Sequence, residues 1–162
     1  MPQHNINPIY NQNSKILILG SFPSVKSREG QFFYDHPQNR FWKVLAGLLH
    51  EDVPLTHAQK RSFLLEHHIA LWDVLASCDI KGSADSSIKN TVPNDLTPIL
   101  QTAPIQAIFC NGGTSFAYYN RFSLKMTGME AVKLPSTSPA NAAFSVDKLC
   151  DEWRVILPYI LD

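Results

Sequence analysis

The hexapeptide Lys15-Ile16-Leu17-Ile18-Leu19-Gly20 decides how the chain is read. Four apolar residues run without a polar interruption and stop at glycine, the pattern of a short strand buried on both faces, as parallel sheets require. Similar stretches follow at residues 69–75, at 105–110, closed by Asn111-Gly112-Gly113, and at 131–134. Between them the apolar residues recur at helical spacing. Phe41, Val44, Leu45 and Leu48 form one stripe behind Asn39, a residue type that caps helices. Thr56 caps a second helix reaching about residue 67, Asp95 a short one, and residues 116–122 read as helical. Leu149, Trp153, Ile156 and Ile160 share one face of a last helix behind Ser145. Alternating strands and helices predict an α/β fold with three αβα layers around a central, mainly parallel four-stranded sheet. Ligands of such sheets bind beyond the carboxyl ends of the strands. The unusual loops begin there: Ser21 to Ser24, the polar stretch 81–94, Asn111 to Gly113, and Pro135 to Asn141. They should converge on one rim.

Composition narrows what such a rim can serve. With 162 residues, 44% of them hydrophobic and 17% charged, the chain is expected to form one domain over 1–162 with a sizeable core. Fourteen basic and fourteen acidic residues cancel, which argues against a partner held by a global basic field. Residues 1–43 nevertheless carry five basic against two acidic residues, so a local patch can meet phosphates. No apolar run approaches the ~20 residues of a membrane span, and the polar start lacks the layout of a signal peptide. A cytoplasmic monomer without membrane contact is expected. Cys78, Cys110 and Cys150 lie far apart and are expected to be reduced thiols; no cysteine cluster or HExxH is present, so neither metal nor cofactor is expected. GxxxxGK[ST], GxGxxG and GxSxG are absent too.

What the loops do contain is amide, hydroxyl, proline and aromatic side chains. Phe32-Phe33-Tyr34 and His36-Pro37-Gln38-Asn39 share one loop, Asn90 and Asn94 another, and Asn111 stands on a third. Flat rings beside amides suit a planar heterocycle, since the ring stacks while the amide offers a donor and an acceptor to a base edge. Arg28, Arg40 and Lys43 flank the first loop.

Three segments resemble a known family: Gly20-Ser21-Phe22-Pro23-Ser24, the block Phe33 to Trp42 containing His36-Pro37-Gln38-Asn39-Arg40-Phe41-Trp42, and Leu134 to Asn141. Together they look like the uracil-DNA glycosylase superfamily. The HPxNRFW block is similar to the mismatch-specific uracil glycosylases, and the first and last segments to the hypoxanthine (deoxyinosine) branch. The resemblance implies that Ser21 and Phe22 belong to a water-activating loop, that Tyr34 with Phe33 stacks on an extruded base, and that Asn90 reads its edge. It implies DNA contacts from Ser24, Arg28, Pro135, Ser136, Thr137, Ser138, Pro139 and Asn141, the last loop wedging into the duplex. Two positions depart from the superfamily pattern: Phe22 stands where an Asp or Asn is usual, and Leu134 where a His is usual. In the hypoxanthine branch the missing amide function is implied to come from Asn39.

Taken alone, the residues allow plainer roles. Asn39 can be only a helix cap, one of the aromatic trio only a loop anchor, Arg40 and Lys43 only solvated helix charges, and Asn111 only a turn residue; Cys110 and His36 read as structural. The function expected is a monofunctional glycosylase acting on DNA with a deaminated base, hypoxanthine preferred, by base flipping and water attack, in base excision repair. A uracil or mismatch glycosylase, a non-catalytic DNA-binding module and a nucleoside hydrolase are the alternatives.

Overall fold

All four apolar runs become strands of one sheet in the computed structural model, which describes residues 6–161. The polar start noted above therefore begins outside the described residues. Strands β1 (Ile16–Gly20), β2 (Ile69–Asp73), β5 (Ala107–Asn111) and β6 (Ala131–Leu134) pair in parallel in the order β2-β1-β5-β6. Because helices cover both faces, alternate residues of β1 enter different cores. Ile16 and Ile18 meet Phe41, Leu45 and Trp153 on one side, while Leu17 and Leu19 meet Leu96, Ile99 and Tyr119 on the other. The three-layer αβα reading is thus the observed architecture.

The first core is closed by α2 (Phe41–Leu49), α3 (His57–Glu66), α7 (Val146–Trp153) and α8 (Leu157–Ile160). Thr56 starts α3 with a full capping box, its hydroxyl accepting from Gln59 N–H and the Gln59 side chain returning to the Thr56 N–H. Ser145 caps α7 in the expected way. The final helix is not continuous: a 3₁₀ turn at Arg154–Ile156 separates α7 from α8. The second core is closed by α4 (Thr97–Thr102), α5 (Gly113–Tyr118) and α6 (Leu124–Thr127), with a π-helical turn, Tyr119–Ser123, where one plain helix was expected.

Two local differences bear on the rim. The loop after β1 folds into a short helix, α1 (Val25–Gly30), capped by Ser24, whose hydroxyl accepts from Ser27 N–H. The strand expected to run to residue 75 stops at Asp73. A new one, β3 (Leu75–Asp79), pairs antiparallel with β4 (Lys89–Pro93), so part of the polar stretch 81–94 is sheet rather than loop.

Arg40 fixes the loop after β6. Its guanidinium donates to the carbonyls of Ser138 (2.8 Å), Asn141 (3.0 Å) and Phe144, and its Nε and backbone N–H both reach the Thr137 carbonyl. Trp153 Nε1 holds the same loop at the Pro135 carbonyl, 2.9 Å away. A planar cation with five N–H donors can satisfy several converging carbonyls that an irregular loop would otherwise bury unpaired. Arg40→Met keeps the aliphatic stem and removes those donors. It should lower stability by about 3 kcal/mol and strip amide-exchange protection from 136–144 before the sheet. Chemical denaturation with hydrogen exchange checks this, and unchanged protection in that loop would contradict the clamp.

Candidate active site

In the strand order, β1 has β2 on one side and β5 on the other, so the chain switches direction across the sheet at β1 and β5. A crevice opens at such a point beyond the carboxyl ends of the strands. A cavity of about 370 Å³ lies there, lined by the last residues of three strands, Gly20, Asp73 and Asn111, and by Ser136 just past β6. The rim loops converge as expected. Ser21, Phe22 and Ser24 form one wall, Phe33, Tyr34 and Asn39 another, and Ser136, Thr137 and Ser138 a third. Ser83 to Ser86, the tip of the β3–β4 hairpin, closes the fourth side.

Thr137 is fully buried and spends all its polar groups on this frame. Its N–H donates to Asn111 Oδ1 (3.0 Å), its hydroxyl accepts from Asn111 Nδ2 (3.0 Å), and the same hydroxyl donates to Asn39 Oδ1 (2.9 Å). Asn39 Oδ1 also accepts the N–H of Phe41, the first residue of α2, at 2.9 Å. Because a backbone N–H can only donate, the atom facing it must be the amide oxygen. The N-cap of α2 is Arg40 rather than Asn39, whose oxygen instead accepts the first helical N–H from one residue further back, and Asn39 lines the cavity. Asn111 is more than a turn residue, since both ends of its amide clamp Thr137.

Tyr34 adopts a left-handed backbone, φ 50°, and lays one ring face on Phe41 with centroids 4.1 Å apart. Tyr34 also lines the cavity. Its hydroxyl reaches inward beside Asp73 and Asn111; burial, reinforced by the Asp73 charge, pushes the phenol above its ordinary pKa. Phe33 is buried in the first core and supports the platform.

Neither carboxyl that lines the cavity was singled out in the sequence. Asp73 ends β2, directly opposite Gly20 in the parallel register. A Cβ at position 20 would come within 2.5 Å of Asp73 Oδ1 and 3.1 Å of the Tyr34 hydroxyl, so only glycine leaves the notch this carboxyl occupies. Burial pushes Asp73 up to about 7. Asp85, on the 3₁₀ turn Asp85–Ser87, faces Ser21 Oγ at 3.5 Å. Burial raises it as well, against the opposing effect of hydrogen bonds from Thr114 and Ser21. Nothing in a single Asp after an apolar run distinguishes Asp73 from a strand end. Asp85 lies in the polar stretch that did stand out.

Other expected site residues lie outside the lining. Asn90, also at positive φ (52°), is exposed on β4 and donates to Asp79 Oδ2 at 2.5 Å. Arg28 turns inward: it donates to the Gly82 carbonyl (2.6 Å) and sits 5.4 Å over the Phe22 ring, tying α1 to the hairpin rather than presenting a free cation. Pro139 is exposed at the loop tip, while Pro135 and Asn141 brace the loop, Asn141 Nδ2 donating to the Ser136 carbonyl. Cys110 is buried with its thiol pushed up to about 12, and His36 Nδ1 accepts the Gln38 N–H within its own turn. No group of three or more His, Cys, Asp or Glu able to hold a metal occurs among the described residues.

Comparison with known proteins agrees with this geometry. The family model of the uracil DNA glycosylase superfamily matches residues 8–160. A protein named hypoxanthine DNA glycosylase from Methanosarcina acetivorans is 33% identical over 149 residues, covering 91% of this chain and 93% of its own. One of the same name from Methanosarcina barkeri is 33% identical over 143 residues, covering 87% and 89%. A Methanosarcina acetivorans protein solved by solution NMR, named as a candidate uracil DNA glycosylase, superposes with a TM-score of 0.82 at 32% identity, covering 96% of both chains. With its rim loops meeting at the switch point of a matching sheet, this chain belongs to the uracil DNA glycosylase superfamily, hydrolases of N-glycosyl bonds in DNA.

Proposed function

We propose that the chain is a monofunctional glycosylase that takes a deaminated base, hypoxanthine by preference, out of the DNA stack and hydrolyses its N-glycosyl bond in base excision repair. The observation that carries this reading is the cavity itself, which brings together the Tyr34 ring, the Asn39 amide and the Asp85 carboxyl. The first suits a planar base. The Asp85 carboxyl suits the positive charge that develops on a sugar ring as a glycosidic bond breaks. In the proposed reaction the C1′–N9 bond breaks with its electron pair going to the base, the water oxygen bonds C1′, and a water proton ends on the base. Asn39 Nδ2 holds the water by its oxygen, while Asp85, beside Ser21, faces the charged sugar. No lysine lines the cavity among the described residues, which supports water over a Schiff base as the nucleophile. The preference for hypoxanthine is supported by the two relatives that carry it in their names. Excision assays on hypoxanthine, uracil and xanthine opposite each normal base test it, and a protein that releases uracil but no hypoxanthine would overturn it.

Loop 135–141 is proposed to enter the duplex by its exposed tip at Pro139 and Ala140, since Thr137 has no polar group to spare. Asn39→Asp separates the two duties of Asn39. It keeps the acceptor for the Phe41 N–H and replaces the donor with a second oxygen, so stability should change by less than about 1 kcal/mol while the single-turnover rate falls roughly 100-fold. A stable and fully active Asn39→Asp would leave the residue only its framework bonds to Phe41 and Thr137.

Stacking gives a different signature. Tyr34→Ala should reduce excision far more than affinity for an abasic-analogue duplex, because the ring acts after extrusion and such stacking is worth ~1 to 3 kcal/mol. Tyr34→Phe should keep most of the rate. Equal damage from both substitutions in paired excision and binding assays would remove Tyr34 from the stacking role.

A further inference from the structure

Among the described non-glycine residues that line the cavity, Tyr34 alone has a left-handed backbone, φ 50°. A bulky side chain seldom adopts this region and keeps it only where the surroundings fix it from several directions. Here the peptide group between Tyr34 and Asp35 is held at both of its polar atoms. Trp42 Nε1 donates to the Tyr34 carbonyl at 3.2 Å, and the Asp35 N–H donates to Ser27 Oγ at 3.1 Å. Ser27 is buried, and its hydroxyl also accepts from that of Ser24, 3.2 Å away on the first-loop wall. One peptide group thus ties two walls of the cavity together.

The Asp35 side chain adds a third anchor, and this one reaches outside the site. Its Oδ1 lies 2.9 Å from His57 Nε2 and 3.9 Å from Lys60 Nζ, both on α3. A carboxylate oxygen can only accept, so His57 Nε2 carries the hydrogen. Lys60 also stands 5.3 Å over the Trp42 ring, which joins the carboxylate to the indole that holds the Tyr34 carbonyl. Asp35 is 17% exposed and Lys60 13%, so the pair escapes much of the screening that makes surface ion pairs weak. The second oxygen fills a notch left by glycine: a Cβ at position 30 would come within 2.0 Å of Asp35 Oδ2. Asp35 itself stands outside the cavity lining.

We propose that Asp35 is a positioning residue for the base platform: anchored to α3 by His57 and Lys60, it holds Tyr34 in its left-handed backbone, with the ring laid on Phe41, before a base arrives. This deepens the glycosylase reading above and rests on the stacking role given there to Tyr34. A ring that is already fixed loses no freedom when the extruded base stacks on it. Without the anchor, Tyr34 returns to the extended backbone that tyrosine prefers, and its ring swings off Phe41. The base must then find the platform rather than land on it.

Three substitutions remove the anchor by different routes. Asp35→Ala deletes the carboxylate. Gly30→Ala leaves every polar group in place and drives the carboxylate out of its notch; Gly30 has no left-handed backbone, and Asp35 is the one residue its new Cβ would meet. His57→Phe keeps the ring stacked on Phe32, with centroids 4.5 Å apart, and deletes the hydrogen-bonding nitrogen. Asp35→Ala and Gly30→Ala should each lower single-turnover excision of hypoxanthine roughly 10-fold, as a misplaced positioning group does. Affinity for an abasic-analogue duplex, which rests on the phosphates, should change by less than about 2-fold. His57→Phe should lose less, because Lys60 remains. Asp35→Asn keeps an acceptor for His57 and should recover most of the rate. In a Tyr34→Ala background the Asp35→Ala penalty should shrink to within about 2-fold, since the platform it holds is gone. NMR of the free protein reads the geometry apart from catalysis: the Phe41 ring shifts the Tyr34 ring protons, and that shift should collapse in Asp35→Ala and Gly30→Ala while melting curves show both variants folded.

Two results would overturn the proposal. An Asp35→Ala penalty of the same size with and without the Tyr34 ring would mean that the carboxylate acts on some other part of the protein. Tyr34 ring shifts unchanged in Asp35→Ala would mean that the backbone holds its conformation unaided. A wild type that excises no base from any lesion would sink the glycosylase reading; the ring shifts would still report whether Asp35 holds Tyr34, so the two failures are told apart.

Discussion

One buried hydroxyl holds the rim together. Thr137 Oγ1 links Asn111 at the end of β5 to Asn39 at the start of α2, while the Thr137 N–H and carbonyl bind Asn111 and Arg40. Two segments far apart in the chain, 39–40 and the end of β5, thus converge on one residue from the loop after β6. The hydroxyl has a single proton, so its direction sets the direction of the network: Asn111 donates to it, and it donates to Asn39. A buried network of this kind is stable only when every member is satisfied, and here it leaves one group to spare, the Asn39 Nδ2 that borders the cavity. In the proposed reaction, function and framework share the side chain because its two ends have opposite polarity.

The same economy shapes the cavity floor. Parallel register puts Gly20 beside Asp73, and the missing Cβ lets a carboxyl occupy a space that any other residue at position 20 would fill. Burial there costs an ionised carboxylate its hydration. The result is an acid that stays protonated well above the usual carboxylate range. Below it in pH the folded state carries this group without penalty, and above about 7 the penalty is fully felt.

How much of this could be read in advance follows the range of the interactions. The strands at 16–20, 69–73, 107–111 and 131–134 were legible because a strand buried on both faces needs only an uninterrupted apolar run. Thr56 and Ser145 were legible because capping is local. The helix Val25–Gly30 was not, since six residues with no apolar stripe leave little beyond the Ser24 cap to mark it. Arg40 read as a solvated helix charge because its carbonyl partners lie some hundred residues downstream. Asp73 was hidden for a related reason: its chemistry comes from a neighbouring strand's glycine and from burial, neither of which is visible in its own segment. The resemblance located the rim loops well, whereas Asn90 sits on a hairpin strand outside the cavity that the hairpin's tip lines.

The substitution of Phe22 for the usual acidic or amide residue of the first loop now has a physical context. Phe22 is buried in the second core and covered by the Arg28 guanidinium, so that position braces the wall instead of addressing water. Glycosidic cleavage through a cation-like sugar asks more of electrostatic stabilisation than of nucleophile strength. In the proposed reaction Asp85 answers the positive charge from the hairpin, and Asn39 needs only to place water from the opposite wall. A donor amide is adequate for placement, because the cation once formed accepts even a weak nucleophile. The first-loop acid can then be dispensed with, provided a carboxyl reaches the sugar from elsewhere, and in this fold the hairpin tip supplies one within 3.5 Å of Ser21.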